Sequence, residues 1–402
     1  MLYAKPRVLP RGFVLLCVGL AVVMGVLAGC GGGSNLGMDN LAVTAAGSVS
    51  PQALDPAMVG TWMMIWGTKD GVVVAPKNIT GWDTGTTRGL SVMRANGTIT
   101  STEYNATGGI VKQMNGTWTG SGGTGTIHWT TGSMTDPIPF TYTPQGANVA
   151  TTTISVPGFH RVMHSVKIVS PTGHDPALVK TWTATGVWVN GVSKPISYLT
   201  GSTLYPKFAR RFAAAGTSQD YLLKADMTQK APKLAPKSWA SGGGVLKLGT
   251  GPISEAIYVV TTGQLTTWQL DAAGNTLKVV YSRYGAAGAH DARLVASWHA
   301  VSVKVDGASV PLATFFKWET GENNSHWTFW VDGTLEQNDR AGTTLIYGGL
   351  RTWFTSAGKI TIIRPGTTET GVAAYSLPTS TSLKFTMTQG GHTTVLIWNK
   401  DA

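Results

Sequence analysis

The chain has 402 residues, 51 of them Gly and 15 Trp, with hydrophobic residues at 42% and charged residues at only 13%. So little charge with so much glycine argues against a coiled coil, an acidic disordered chain and a helix-rich enzyme. The net charge is +11, and at roughly 100–200 residues per domain the length predicts two to four domains.

Taken in chain order, Lys5, Arg7 and Arg11 precede an apolar run from Gly12 to Val26. That run is shorter than the ~20 residues a spanning helix needs. It ends in Leu27-Ala28-Gly29-Cys30. Residues 1–30 resemble the bacterial lipoprotein signal, with these four residues as its lipobox. The resemblance implies removal of residues 1–29, acylation of Cys30 and a stable lipid anchor in the bacterial cell envelope. Gly31 stands where lipoproteins retained in the inner membrane carry Asp, so the same resemblance points to the outer membrane. The other cysteine, Cys17, lies in the removed segment. The mature chain is therefore expected to have no disulfide, thiolate metal site or cysteine nucleophile. Residues 30–54 lack any period and read as a flexible tether.

Beyond the tether the chain repeats itself. Asp55-Pro56-Ala57-Met58-Val59-Gly60-Thr61-Trp62 returns as Asp175-Pro176-Ala177-Leu178-Val179-Lys180-Thr181-Trp182, and more loosely as Asp291-Ala292-Arg293-Leu294-Val295-Ala296-Ser297-Trp298. Asp70-Gly71, Asn190-Gly191 and Asp306-Gly307 follow at one offset, and a second tryptophan (Trp118, Trp239, Trp353) follows later in each copy. Three domains are expected: 55–170, 171–288 with a basic insertion, and 289–402. Within each, runs such as Trp327-Thr328-Phe329-Trp330-Val331 ending in Asp332-Gly333 read as strand, tight turn, strand. Eight to ten antiparallel strands fit each copy, as an up-and-down barrel or a sandwich. The opening Asp-Pro reads as a cap leading into a short helical turn.

A helical turn, then Gly60-Thr61-Trp62 on the first strand, then a long meander resembles the lipocalin-like (calycin) barrel. The resemblance implies that a basic side chain from the last strand lies across this tryptophan, a cation–π contact. Lys167, Arg283 and Lys400 are the counterparts for Trp62, Trp182 and Trp298. Lys180 and Ala296 replace the motif's glycine in the second and third copies.

Chemistry-bearing motifs are absent: there is no nucleophile elbow, phosphate loop, His-Glu-x-x-His or dinucleotide fingerprint. Asp55, Asp175 and Asp291 read as caps, and Glu103, Glu255, Glu319 and Glu322 as isolated surface charges. His160 and His164 read as strand histidines rather than metal ligands. No catalytic residue, metal or cofactor is expected. Aromatic residues carry more information: Trp66, Trp118, Trp239, Trp353, Trp327 and Phe329 either fill the barrels or line pockets for an apolar ligand.

The second copy holds 12 basic and 5 acidic residues, against 7 and 6 for residues 30–174 and 9 and 9 for the third copy. Lys207, Arg210, Arg211, Lys230, Lys233 and Lys237 concentrate there. The expectation is a basic loop, with Lys207 to Ala215 as a short helix, able to hold an anionic glycan or lipid headgroup. The expected protein is a lipid-anchored, non-catalytic binding protein of the envelope. It takes a small amphiphile inside a barrel or an anionic component on the second domain, and nucleic acid is not among its partners. The competing expectation is a structural or adhesive protein with filled barrels, and an envelope enzyme on a calycin scaffold is a third.

Overall fold

The computed structural model describes residues 54–401 apart from residues 82, 132–136, 230–233, 251–253, 317–321, 343 and 365–369. The signal segment, Cys30, most of the tether, Lys230, Lys233 and Glu319 lie outside the described residues. The described chain is all-β, in three tandem antiparallel sheets of nine strands, each closed into an eight-stranded barrel.

Barrel 1 comprises β1 (Gly60–Lys69), β2 (Val72–Val74), β3 (Arg88–Met93), β4 (Thr98–Tyr104), β5 (Ile110–Ser121), β6 (Thr124–Trp129), β7 (Ile138–Pro144), β8 (Val149–Val156) and β9 (Phe159–Lys167). Barrel 2 runs through β10 (Thr181–Val189), β11 (Val192–Lys194), β12 (Lys207–Phe212), β13 (Thr217–Leu223), β14 (Lys237–Gly242), β15 (Val245–Leu248), β16 (Glu255–Val260), β17 (Gln264–Leu270) and β18 (Thr276–Tyr284). Barrel 3 runs through β19 (Ser297–Val305), β20 (Ala308–Val310), β21 (Asn324–Phe329), β22 (Thr334–Ala341), β23 (Thr344–Ser356), β24 (Lys359–Ile363), β25 (Thr370–Thr379), β26 (Ser382–Gln389) and β27 (His392–Lys400).

In each copy the first strand pairs with the last, so eight strands close and the short second strand remains a hairpin flap. Closure rules out the sandwich. Closing a barrel on one long first strand requires it to bend. A bulge supplies the bend at the same place in each copy, between Met64 and Trp66, Ala184 and Gly186, and Ala300 and Ser302. The flap turns on Asp70-Gly71, Asn190-Gly191 and Asp306-Gly307, where both residues hold positive φ, the two-residue hairpin geometry these sequences favour.

The opening segment plugs one end of each barrel. Asp55, Asp175 and Asp291 accept hydrogen bonds from the backbone N–H two residues on, at 2.8, 2.9 and 3.0 Å. The turn presses Met58, Leu178 or Leu294 into the core. Its carbonyl then accepts the indole N–H of Trp62, Trp182 or Trp298 at 2.7, 3.0 and 2.9 Å. The stretch from Lys207 is not helical. It forms β12, because Phe208, Arg210 and Phe212 alternate inward against Ala209 and Arg211 on the outer face.

Candidate functional site

The barrel interiors hold side chains where a hollow lipocalin-like barrel would hold a ligand. Trp118, Trp239, Trp353 and Phe329 are all buried. The three second tryptophans donate their indole N–H to a carbonyl of the preceding hairpin loop: Arg94 at 3.1 Å, Ala213 at 2.9 Å and Trp330 at 3.1 Å. Trp327 lies among Phe329, Phe385 and Trp398 in the third core, with ring centroids 4.8 to 6.4 Å apart. These five residues pack into the cores, the first of the two alternatives the sequence leaves open for them. The sixth, Trp66, faces outward. It stacks on His164 at 3.7 Å and on Trp268 of barrel 2 at 5.9 Å. Burial there depresses the His164 pKa to about 4.

The basic counterparts of the opening tryptophans all stand directly across the strand pair: Trp62 opposite Lys167, Trp182 opposite Arg283 and Trp298 opposite Lys400. Their contacts differ. Lys167 lies over Trp62 with its ammonium 5.5 Å from the ring, in space that opens because Gly60 has no side chain. A Cβ at Gly60 would come within 2.2 Å of the Lys167 stem. In the second copy the cation over Trp182 is Lys180 itself, at 5.9 Å. Arg283 reaches instead to the Asp332 carbonyl of barrel 3, at 3.4 Å. Lys400 is exposed.

The proposed basic surface is largely taken apart by the fold. Arg210 points into barrel 2 and forms a two-pronged pair with Asp220, at 2.5 and 2.9 Å, beside Phe208. Burial opposes its charge, and Asp220 more than offsets that, holding its pKa above the ordinary guanidinium value. Arg211 points the other way, onto barrel 3, where it meets Asp332 at 3.3 Å and lies 3.5 Å over the Trp330 ring. Neither is available to an outside anion, because β12 alternation puts one inside the barrel and the other inside a seam. Lys207 lies partly buried on the outer face of β12, and Lys237 reaches Asp220 at 3.4 Å.

Both seams between barrels are built from outward strand positions. Met63, Ile65, Val149 and Val166 of barrel 1 pack on Val245, Ile257 and Leu270 of barrel 2. The bulge residue Ile65 presents its carbonyl to the Thr276 hydroxyl, at 2.9 Å. The second seam is more polar. Ala209, Tyr221, Leu223, Met227 and Tyr284 surround Leu350 of barrel 3. Tyr221 donates to Glu336 at 3.0 Å, the Thr181 N–H to Asp332 at 2.6 Å and Gln229 to Asn338 at 3.0 Å.

Two carboxylates differ from the sequence expectation, and one repeated contact has no counterpart in it. Glu103 is buried, not a surface charge, and accepts from the Asp83 N–H and the Thr86 hydroxyl, each at 2.9 Å. Glu255 is buried as well, beside Lys247 at 3.6 Å. Each capping aspartate also takes a tyrosine hydroxyl: Tyr142 to Asp55 at 2.6 Å, Tyr258 to Asp175 at 2.9 Å and Tyr375 to Asp291 at 2.8 Å. The three tyrosines recur at comparable offsets in the copies, a signal that alignment of the repeats would have exposed. Among the described residues no cluster of His, Cys, Asp or Glu is arranged to hold a metal ion.

A groove of about 440 Å³ lies on the outer face of barrel 1, where β5 to β8 curve past one another. Thr119, Ser121, Thr124, Thr126, Thr141, Thr153 and Ser155 line it, with Pro139 and Phe140, and no charged side chain does. Its middle strands, β6 and β7, lie four and three strands round the closed barrel from β1.

No family model matches the chain, and no curated protein matches it in sequence. Among solved structures it is similar to transferrin-binding protein B from serogroup B Neisseria meningitidis, at 8% identity and a TM-score of 0.18, covering 85% of this chain and 76% of that one. Transferrin-binding protein B from Haemophilus parasuis matches at 8% identity and a TM-score of 0.17 over the same shares. A putative AttH from Nitrosomonas europaea matches at 10% identity and a TM-score of 0.08, covering 89% and 98%.

Proposed function

We propose that the chain is a lipid-anchored, non-catalytic binding protein of the bacterial envelope, recognising its ligand on the outer faces of its barrels. The filled cores carry this reading. Trp62 with Trp118, Trp182 with Trp239, and Trp298 with Trp353 occupy each interior from the plugged end upward. The non-catalytic part is supported by the engagement of the buried carboxylates. Glu103, Asp220, Asp332, Glu336 and Asp339 each accept hydrogen bonds from neighbouring protein groups, which leaves them poorly placed to exchange protons with a substrate. The anchor rests on the lipobox resemblance and Cys30. Three domains on one tether would let weak contacts add up by avidity.

Two experiments test the proposal. Metabolic labelling with an alkyne fatty acid is expected to mark the wild-type chain in the membrane fraction and to leave Cys30→Ala unlabelled and released. Unlabelled wild type would refute the anchor. Native mass spectrometry of residues 31–402, purified without detergent, is expected to give the bare mass. A retained apolar adduct would return recognition to the barrel interiors.

A further inference from the structure

We propose that the groove on barrel 1 is a binding site for a neutral, β-1,4-linked oligosaccharide, an assignment that rests on outer-face recognition as set out above. Three observations carry it. First, seven of the eleven lining residues carry a hydroxyl and none carries a charge. A hydroxyl donates and accepts at once, so a row of them matches ligand hydroxyls, which do the same. It offers no cation to an anion. Of these hydroxyls only Thr124 is spent, donating to the Ser121 carbonyl at 3.2 Å. No hydrogen bond joins the hydroxyls of Thr119, Ser121, Thr126, Thr141 or Thr153 to another described residue.

Second, the hydroxyls are spaced as rungs. Ser121 faces Thr124, Thr124 faces Thr141 and Thr141 faces Thr153 across successive strand pairs, and Thr119 faces Thr126 one step along. Neighbouring strands lie ~4.8 Å apart, close to the advance of one hexose in an extended, equatorially linked chain. Four rungs span about 14 Å on that spacing, so several sugar units can each meet a rung.

Third, this surface is concave where a barrel wall is ordinarily convex, and its chemistry departs from the same face of the next barrel. Gly120 and Gly125 stand opposite each other in the floor. A Cβ at Gly125 would come within 2.4 Å of the Phe140 ring, so the bare backbone is required for the wall to dip here. On barrel 2 the corresponding strands, β15 to β17, carry Val245, Ile257, Trp268 and Leu270, and barrel 1 covers them. Among the described residues no other barrel covers that face of barrel 1. It has hydroxyls, where barrel 2 has an apolar docking surface.

The test uses residues 31–402 with cellohexaose and chitohexaose as probes, maltohexaose as the bent-chain control and palmitate as the apolar control, followed by NMR of threonine methyls and tryptophan indoles. Cellohexaose or chitohexaose is expected to shift the threonine methyls of the groove and leave the indoles of Trp62 and Trp118 unmoved, with maltohexaose at least tenfold weaker. Thr126→Val with Thr141→Val keeps shape and strand propensity while removing two hydroxyls. It is expected to weaken binding at least tenfold with an unchanged melting temperature. Silence of the groove methyls at millimolar probe, or undiminished binding by the double variant, overturns the assignment and leaves outer-face recognition standing. Indole shifts with palmitate would overturn outer-face recognition and this assignment together.

Discussion

The second seam makes a quantitative demand on Asp332. Its carboxylate is 2% exposed and faces an Arg211 guanidinium that is 8% exposed, at 3.3 Å. It also accepts the buried N–H of Thr181 at 2.6 Å and of Thr334 at 3.0 Å. At an effective dielectric of about 20 the ion pair alone is an attraction of about 5 kcal/mol. Most of that attraction offsets the desolvation of two charges, so the intact pair contributes little net stability. Burial in fact holds the Arg211 pKa below its ordinary value despite Asp332. Truncation is different. Asp332→Ala strands a buried cation and orphans the Thr181 N–H, and should cost about 3–5 kcal/mol. Urea unfolding followed by tryptophan fluorescence gives the size. Hydrogen exchange of β12 and β22 locates the loss at the seam. The double variant Asp332→Ala with Arg211→Met removes both charges and should recover at least half of it, a coupling that a double-mutant cycle measures directly. A loss below about 1 kcal/mol for Asp332→Ala, or simple additivity in the cycle, would refute the coupling of Asp332 and Arg211 across the seam.

The repeats and the first seam make further demands. Trp62→Ala, Trp182→Ala and Trp298→Ala should each destabilise their own barrel by about 3–5 kcal/mol; three unchanged melting profiles would remove these residues from the cores. Tyr142→Phe, Tyr258→Phe and Tyr375→Phe should each cost about 1–2 kcal/mol by taking a hydrogen bond from the plug aspartate. Tyr142 and Tyr258 are pushed up to about 12, so ultraviolet titration should show both still protonated at pH 11. His164 is held at about 4 by burial, against an ordinary 6.5. The unfolded chain therefore binds the extra proton between those values, and stability should be full above pH 6.5 and fall as pH drops toward 4. A His164→Phe variant whose melting temperature falls over that range as steeply as wild type would show that another group is responsible.

Much of the fold was legible because its signals are local. The glycine after Asp70, Asn190 and Asp306 declares a hairpin, and the aspartate before each plug declares a cap. The alternation of Trp327 and Phe329 declares a strand, although that strand stops at Phe329 and the exposed Val331 belongs to the turn. The misreading at Lys207 to Ala215 has the same root. Its basic residues suggest a patch, while the alternation of Phe208, Arg210 and Phe212 against Ala209 and Arg211 spells a strand with one face on each side. Period wins over charge there, because an inward position is dictated by the pleat and the charge then finds a partner, as Arg210 finds Asp220.

What the sequence hides is which outward faces meet. Met63 and Ile65 are apolar on the outside of a barrel, and Ile65 is fully buried only because Val245 and Leu270 arrive from more than 170 residues away. The same holds with the sign reversed in β22, where Glu336, Gln337, Asn338 and Asp339 read as a solvated strand and are all buried. Glu336 and Asn338 face barrel 2, while Asp339 turns inward to Ser325 and Gln337. Both seams therefore use residues that a single domain would place wrongly. The resulting order along the chain is informative. Barrel 1 presents an apolar face forward to barrel 2, and barrel 2 presents a mixed face forward to barrel 3. At the corresponding positions of barrel 3, His299 and His326 close on the Asp401 carboxylate at 2.8 and 2.9 Å. Met63, Leu90 and Ile168 occupy those places in barrel 1 and belong to its seam with barrel 2. The outward face at these positions is therefore polar on barrel 3 and an apolar seam on barrel 1, so one repeated framework carries opposite surface chemistry according to what packs against it.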